Sequence, residues 1–200
     1  EAFDEYNFHT GVVLQNTAGQ LSGLSDTVFD EIAFGLINQG MSEEEAAKTV
    51  VRAACQMGLE DLLEQAPDTL SGGQTQRLAI ASEIAFDPEF LIMDDPTSQM
   101  DPVGRKEFFE WLAGCSEKTI FIVSNEVDDL CEIADQLWVL EKGELIASGK
   151  PLDVINQVAE GHDLYLPVVY RMAKELGKKL PSGLFPVKLS ELKECFDDQN

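Results

Sequence analysis

Residues 90–101 read FLIMDDPTSQMD, from Phe90 through Asp94, Asp95, Pro96, Thr97 and Ser98 to Asp101. Four consecutive apolar residues without alternation predict a short strand covered on both faces, as in a parallel sheet. The run leads straight into two carboxylates and a Pro-Thr-Ser turn, so Asp94 and Asp95 fall at its carboxyl end, the edge where α/β sheets bind ligands. One such carboxylate can hold Mg²⁺, directly or through water, while its neighbour accepts a proton from an attacking water. Adjacent acids at a strand end suit phosphoryl chemistry with a metal. A solvated turn has the same spelling, and this string alone does not separate the two.

Working outward, residues 119–123 (TIFIV) form a second continuous apolar run, and residues 11–15 (GVVLQ) a third that ends in the polar pair Gln15 and Asn16. Asp101 followed by Pro102 predicts a helix cap with proline at the first helical position, opening a helix that ends near Gly114. Upstream, Ser71 and Gln74 stand at capping-box spacing before a helix that Asp87 and Pro88 stop. Residues 28–36 are helical by their apolar spacing. Ser42 and Glu45 form another capping box, ahead of a helix whose Ala46, Ala47, Val50, Val51 and Ala54 share one face. Residues 137–140 and 144–147 read as a hairpin around Glu141, Lys142 and Gly143, with a helix over 151–158 and two short helices over 166–176 and 190–196. The order of elements predicts an α/β domain.

The 200 residues include 37 Asp or Glu and 14 Lys or Arg, a formal charge of −23. Such acidity opposes a partner bound through backbone phosphates and excludes nucleic acid as the expected partner. With 44% hydrophobic and 26% charged residues, the composition is that of a folded chain of one or two domains. The four cysteines show no CxxC spacing, so a zinc site or disulfide scaffold is not expected. No apolar run approaches the roughly 20 residues needed to cross a bilayer, so no direct membrane insertion is expected. Residues 1–160 hold 31 acids and 8 bases, whereas residues 161–200 hold six of each, which suggests a boundary near Gly161. Residues 171–188 form a local basic patch, read as a solvated helix face or as a surface that pairs with the acidic body. Trp111 and Trp138 are expected in the core, Cys131 as a small buried hydrophobe and His162 in a linker.

Ser71, Gly72 and Gly73 add a second chemical signal. A helix start carries unpaired amides and about half a positive charge, so this turn offers an anion a hydroxyl, exposed N–H groups and no side-chain obstruction. An ordinary serine cap after a glycine turn would look the same. The five letters LSGGQ, however, arise by chance in a chain of this size on the order of once in a few thousand sequences.

Together these strings resemble the ATP-binding cassette (ABC) ATPase family. Residues 70–81 (LSGGQTQRLAIA) look like its signature motif and helix, residues 90–101 like its Walker B strand and D-loop, and residues 12–16 (VVLQN) like its Q-loop. The resemblance covers residues 11 to about 158. Within the family the likeness is to the ATPase subunits of energy-coupling factor (ECF) importers, carried by the stretch TVFDEIAFGLINQGMSEEE, the string GELIASGKPLDVI, and the Leu-Pro pairs at 166–167 and 180–181.

The resemblance implies an α/β fold: an ABC-type, RecA-like parallel sheet with an inserted α-helical signature subdomain, without the amino-terminal P-loop strands. It divides the chain into residues 1–16 (Q-loop strand), 17–86 (helical signature subdomain), 87–160 (Walker B, D-loop and switch part of the core) and 161–200 (helical tail). Gln15 would contact Mg²⁺ and the attacking water. Ser71, Gly72, Gly73 and Gln74 would cover the γ-phosphate of ATP held by an opposing subunit, Asp94 would bind the metal, and Asp101 would lie at the dimer seam. The implied cofactors are ATP and Mg²⁺, and the implied partners a second ABC ATPase in a head-to-tail dimer and a transmembrane transporter subunit. The implied location is peripheral, on the cytoplasmic face of the cell membrane, and the implied role is uptake of a vitamin or metal ion.

Three departures from the family pattern stand beside these matches. The family's catalytic base is a Glu directly after the Walker B Asp, where this chain has Asp95, one methylene shorter. A general base is worth roughly 10²- to 10⁴-fold and a displacement near 1 Å about 10²-fold, so slow hydrolysis is expected. Asn125 stands where the family usually has its switch histidine and has no titratable proton near neutral pH. The phosphate-cradling string GxxxxGK followed by Ser or Thr does not occur. Its nearest likeness, Gly143 to Pro151, has one residue too many and a proline at the hydroxyl position. The expectation is a carboxyl-terminal portion of a longer polypeptide, not competent alone, with residues 90–94 left as an open sheet edge. Two alternatives remain open: a catalytically weak or pseudo-ATPase, and a soluble non-transport ABC protein.

Overall fold

The three apolar runs pair side by side. In the computed structural model, which describes residues 10–162 and 164–197, they form β1 (Thr10–Val13), β2 (Phe90–Asp94) and β3 (Thr119–Val123), a parallel sheet in the order β1-β2-β3. The register sets Val12 beside Ile92 and Ile92 beside Phe121, and Asp94 beside Val123. The chain divides into two compact units, residues 1–124 and 125–200.

The first unit holds this sheet with α1 (Val28–Asn38), α2 (Glu43–Gln56), α3 (Gly72–Ile84) and α4 (Pro102–Ala113). Helices α1, α2 and α3 pack on one another, and α3 also packs on β1. Val28, Ile32, Leu36, Val50, Leu78 and Ile80 are all buried between them. Each helix starts where a short polar side chain caps it: Thr27 Oγ1 accepts from Asp30 N at 3.0 Å, and Asp101 Oδ1 accepts from Gly104 N at 2.7 Å. Ser42 makes half of its expected box. Its Oγ accepts from Glu45 N at 3.4 Å, but the Glu45 carboxylate accepts a hydrogen bond from the Ser42 hydroxyl at 2.6 Å instead of one from the Ser42 N–H.

Two expectations need correction. The run 90–93 is not covered on both faces: Leu91 and Met93 are fully buried, whereas Phe90 is 46% and Ile92 43% exposed. Val12, Phe121 and Val123 are exposed with them, so one sheet face lies open among the described residues. Continuous apolarity encodes two covered faces, and the described residues cover one. Nor is β2 an edge strand, because it pairs with β1 on one side and β3 on the other. The outer edge of β1 is occupied instead by the side chains of Gln20 and Glu83.

The second unit contains α5 (Val127–Ile133), the hairpin β4 (Leu137–Glu141) and β5 (Glu144–Gly149), α6 (Pro151–Val158), α7 (Val168–Leu176) and α8 (Leu189–Asp197). Lys142 and Gly143 turn the hairpin with φ of 52° and 84°, the pair of positive angles that a two-residue loop matching strand twist requires. Cys131, Ile155, Tyr170 and Val187 form one core and Ala147, Val154 and Val158 another. Asn156 Nδ2 donates to the Phe185 carbonyl at 2.8 Å while its Oδ1 accepts from Phe185 N at 2.9 Å, tying the Pro/Gly turn to α6.

Trp138 is 56% exposed, contrary to its expected place in the core. A two-stranded ribbon buries one face, and period two puts Trp138 on the other. Trp111 is half-buried, its ring 5.7 Å from that of Phe108. His162 does more than link, since its Nδ1 lies 2.9 Å from Glu141 Oε2. The basic patch is laid on aromatic faces: Arg171 lies 5.0 Å from the Tyr165 ring, Lys178 4.9 Å from Phe196 and Lys179 4.7 Å from Phe185. No helix among the described residues is long and apolar enough to cross a membrane.

Candidate functional site

Parallel pairing of β1 with β2 brings their carboxyl ends together, and the polar residues that follow each strand meet there. Gln15, two residues beyond β1, donates from Nε2 to Asp95 Oδ2 at 3.4 Å. Asp94 closes β2 and is exposed on the open face shared with Phe90 and Ile92. Asp95 turns the chain with φ of 47°, a left-handed conformation that Asp tolerates better than most residues. Its N–H donates to the Val123 carbonyl at 2.8 Å, and its own carbonyl accepts from Ser98 N at 3.2 Å.

Ser71 starts α3 with the complete capping box: Ser71 Oγ accepts from Gln74 N at 3.4 Å, and Gln74 Oε1 accepts from Ser71 N at 2.8 Å. The Ser71 hydroxyl still has a proton to give. Gly72 and Gly73 are the first amides of the helix and have no intrahelical acceptors. The turn is exposed at Ser71 and Gly72. Gln99 packs against both glycines: a Cβ on Gly72 would sit 2.5 Å from Gln99 Oε1, the movable end of that side chain, and one on Gly73 3.0 Å from the Gln99 carbonyl oxygen.

The structure therefore assembles two groups within the first unit, Gln15 with Asp95 and the Ser71 turn with Gln99. Asp101 caps α4 through one carboxylate oxygen, with its side chain exposed. Asn125 opens the second unit, where its carbonyl accepts from Val127 N at 2.9 Å at the start of α5.

Sequence reasoning missed Gln76. It is fully buried, donates from Nε2 to the Asp95 carbonyl at 3.2 Å and to Ser98 Oγ at 3.3 Å, and accepts Gln99 N at 3.0 Å. The available signal was its place in the stripe Gln76, Ile80, Ile84, where an amide among apolar residues asks for partners.

Among the described residues no group of three or more His, Cys, Asp or Glu side chains could cage a metal. Two adjacent acids beside one amide fit Mg²⁺ better than such a cage would, since Mg²⁺ keeps several waters and takes one or two carboxylates plus substrate phosphates. The Ser71 turn fits a phosphate by its donors alone: a hydroxyl and two helix-start amides at an exposed turn.

Comparison with known proteins gives concordant findings. A family profile described as ABC transporter matches residues 4–98. The energy-coupling factor transporter ATP-binding protein EcfA2 of Streptococcus pneumoniae is 38% identical over 193 residues, covering 94% of this chain and 68% of the relative. Its namesake from Streptococcus pyogenes serotype M28 is 38% identical over 192 residues, with 93% and 68% covered. Among solved structures, cbiO1 from Clostridium perfringens, described as part of the ABC transporter complex cbiONQ, superposes with a TM-score of 0.68 at 30% identity, covering 86% of this chain and 65% of that one. A dimeric bacterial ABC transporter cassette gives a TM-score of 0.67 at 25% identity, covering 75% of this chain and 66% of that one.

Proposed function

Because the chain belongs to the ABC transporter ATP-binding family, with the α/β fold of its cassettes, we propose that it works as one ATPase subunit of an ECF-type importer. It spans 68% of the length of the curated relatives and 65% of the solved one. The observation that carries the proposal is the exposed Ser71 turn, held by Gln76 and Gln99 against the segment that follows Asp95. A helix start built in this way presents its hydroxyl and amides outward, toward a nucleotide bound elsewhere.

In this reading Ser71, Gly72, Gly73 and Gln74 complete the site of a second, P-loop-bearing ATPase in a head-to-tail pair, and Asp101 lies along the seam. ATP, bound with Mg²⁺, would be hydrolysed to ADP and phosphate, and that hydrolysis would drive uptake of a vitamin or metal ion through a transmembrane subunit. Asp94 and Gln15 would hold the metal of the chain's own site, and Asp95 would accept the proton of the attacking water. With Asp95 in place of Glu, that site is the slower of the two. The subunit sits at the cytoplasmic face of the membrane and docks to protein, since a chain of net charge −23 gains nothing from anionic headgroups. Sedimentation with a P-loop-bearing ATPase subunit tests the pairing. Association in Mg²⁺-ATP that is lost in ADP supports it, and indifference to nucleotide removes it.

A further inference from the structure

We propose that Gln76 is a positioning residue that clamps the turn after β2 onto α3, so that the Ser71 turn and the Asp95 carboxylate are carried as one rigid piece. The inference deepens the proposed ATPase role and rests on it for one of its two tests.

Gln76 is a helix residue, yet none of the three partners of its side chain belongs to its helix. Its Nε2 donates to the Asp95 carbonyl at 3.2 Å and to Ser98 Oγ at 3.3 Å, and its Oε1 accepts Gln99 N at 3.0 Å. Both donors and the carbonyl of the amide are thereby used, at a site with no solvent exposure. All three bonds converge on residues 95–99, the turn that joins the acidic pair to Asp101. That turn needs holding. Asp95 is left-handed at φ of 47°, and such a residue persists only where its surroundings over-determine it. The same turn backs the start of α3, where the Gln99 carbonyl oxygen lies 3.0 Å from where a Cβ on Gly73 would stand. One amide thus fixes the backbone of the proposed base of one site and seats the phosphate-facing turn of the other. In a dry interior such bonds strengthen one another, and an unpaired member is costly.

Amide hydrogen exchange on the full chain tests the clamp without nucleotide. Gln76→Met keeps the volume and removes the amide, whereas Gln76→Glu keeps an acceptor for Gln99 N. The Gln99 amide should exchange at least about tenfold faster in Gln76→Met and stay within about threefold of the parent in Gln76→Glu, with the amides of Ala79 and Ile80 unchanged in both. Unchanged Gln99 protection in Gln76→Met, or equal loss in Gln76→Glu, overturns the clamp. If the methionine variant does not fold, Gln76→Leu takes its place in the comparison with Gln76→Glu. In the complex with a P-loop-bearing partner, Gln76→Glu lacks the two donors and should lower kcat about tenfold while KM for ATP moves less than about threefold. An unaltered kcat contradicts the proposal. If turnover also ignores Ser71→Arg, the ATPase reading is what has failed, and the exchange result still decides the clamp.

Discussion

Gln20 Nε2 donates to Glu83 Oε1 at 3.0 Å, and among the described residues the two side chains together occupy the edge of β1 that faces away from β2. Glu83 Oε2 accepts from Val12 N at 3.2 Å, Gln20 Oε1 accepts from Leu14 N at 3.0 Å, and Gln20 also donates to the Val12 carbonyl. Side chains here do the work of a fourth strand, which keeps an edge with exposed apolar neighbours from recruiting another chain. Gln20→Ala should lower stability by roughly 0.5–1.5 kcal/mol, the net worth of a hydrogen bond to backbone groups that water can reach, and should promote self-association. Denaturant midpoints and light scattering measure both.

Burial raises Glu83 above its ordinary 4.5, and the bonds from Val12 and Gln20 oppose part of that rise. An acid whose folded pKa is raised holds its proton more tightly in the folded state, so it costs nothing below 4.5 and its penalty grows as pH climbs through the folded value. Glu83→Gln should therefore remove a decline in stability on the alkaline side of 4.5. Parallel stability–pH curves for parent and variant would contradict this.

Lys118 Nζ bonds Asp87 Oδ1 at 2.7 Å and the Pro88 carbonyl at 2.8 Å, pinning the left-handed turn that precedes β2. The Lys118 hydrogen bond holds the Asp87 carboxyl below its ordinary 3.8. The stabilisation is present above 3.8 and is lost as pH falls through the lowered folded value. Asp87 is largely exposed, so Lys118→Met should cost only about 0.5–1 kcal/mol at neutral pH, less in high salt, and less again once Asp87 is protonated, when only the bond to the Pro88 carbonyl is lost.

The four thiols should separate by burial. Cys55 is exposed, whereas Cys131 is fully buried and its thiol is pushed up to about 12, first by burial and then by Asp128. The thiolate is the reactive form, so an aromatic disulfide reagent should label Cys55 in the native state and Cys131 only on unfolding. Native labelling of Cys131 at the rate of Cys55 would show that the α5 core opens freely.

The legible parts of the sequence were those in which local chemistry decides. Ser71 with Gln74 and Asp101 with Pro102 specify helix starts through bonds made within one turn, and the structure forms both. The parallel sheet followed from apolar runs at 90–93 and 119–123. What failed depended on non-local packing. The same run gives no hint that only Leu91 and Met93 are covered, nor that β2 is central. Trp138 is apolar enough for a core, but strand parity on a two-stranded ribbon turned it outward. Gln76 escaped notice because its value lies in partners about twenty residues away, Asp95, Ser98 and Gln99.

The role of the Ser71 turn is tested most directly by ATP turnover of the chain paired with a P-loop-bearing ATPase subunit, with Ser71→Arg against the parent. An arginine there fills the space before Gly72 and Gly73 and removes the hydroxyl, so turnover should fall by about 10²-fold or more while both subunits stay folded and paired. Turnover equal to that of the parent would mean that Ser71 faces no nucleotide, and the account of a signature offered to a neighbour's ATP would be wrong.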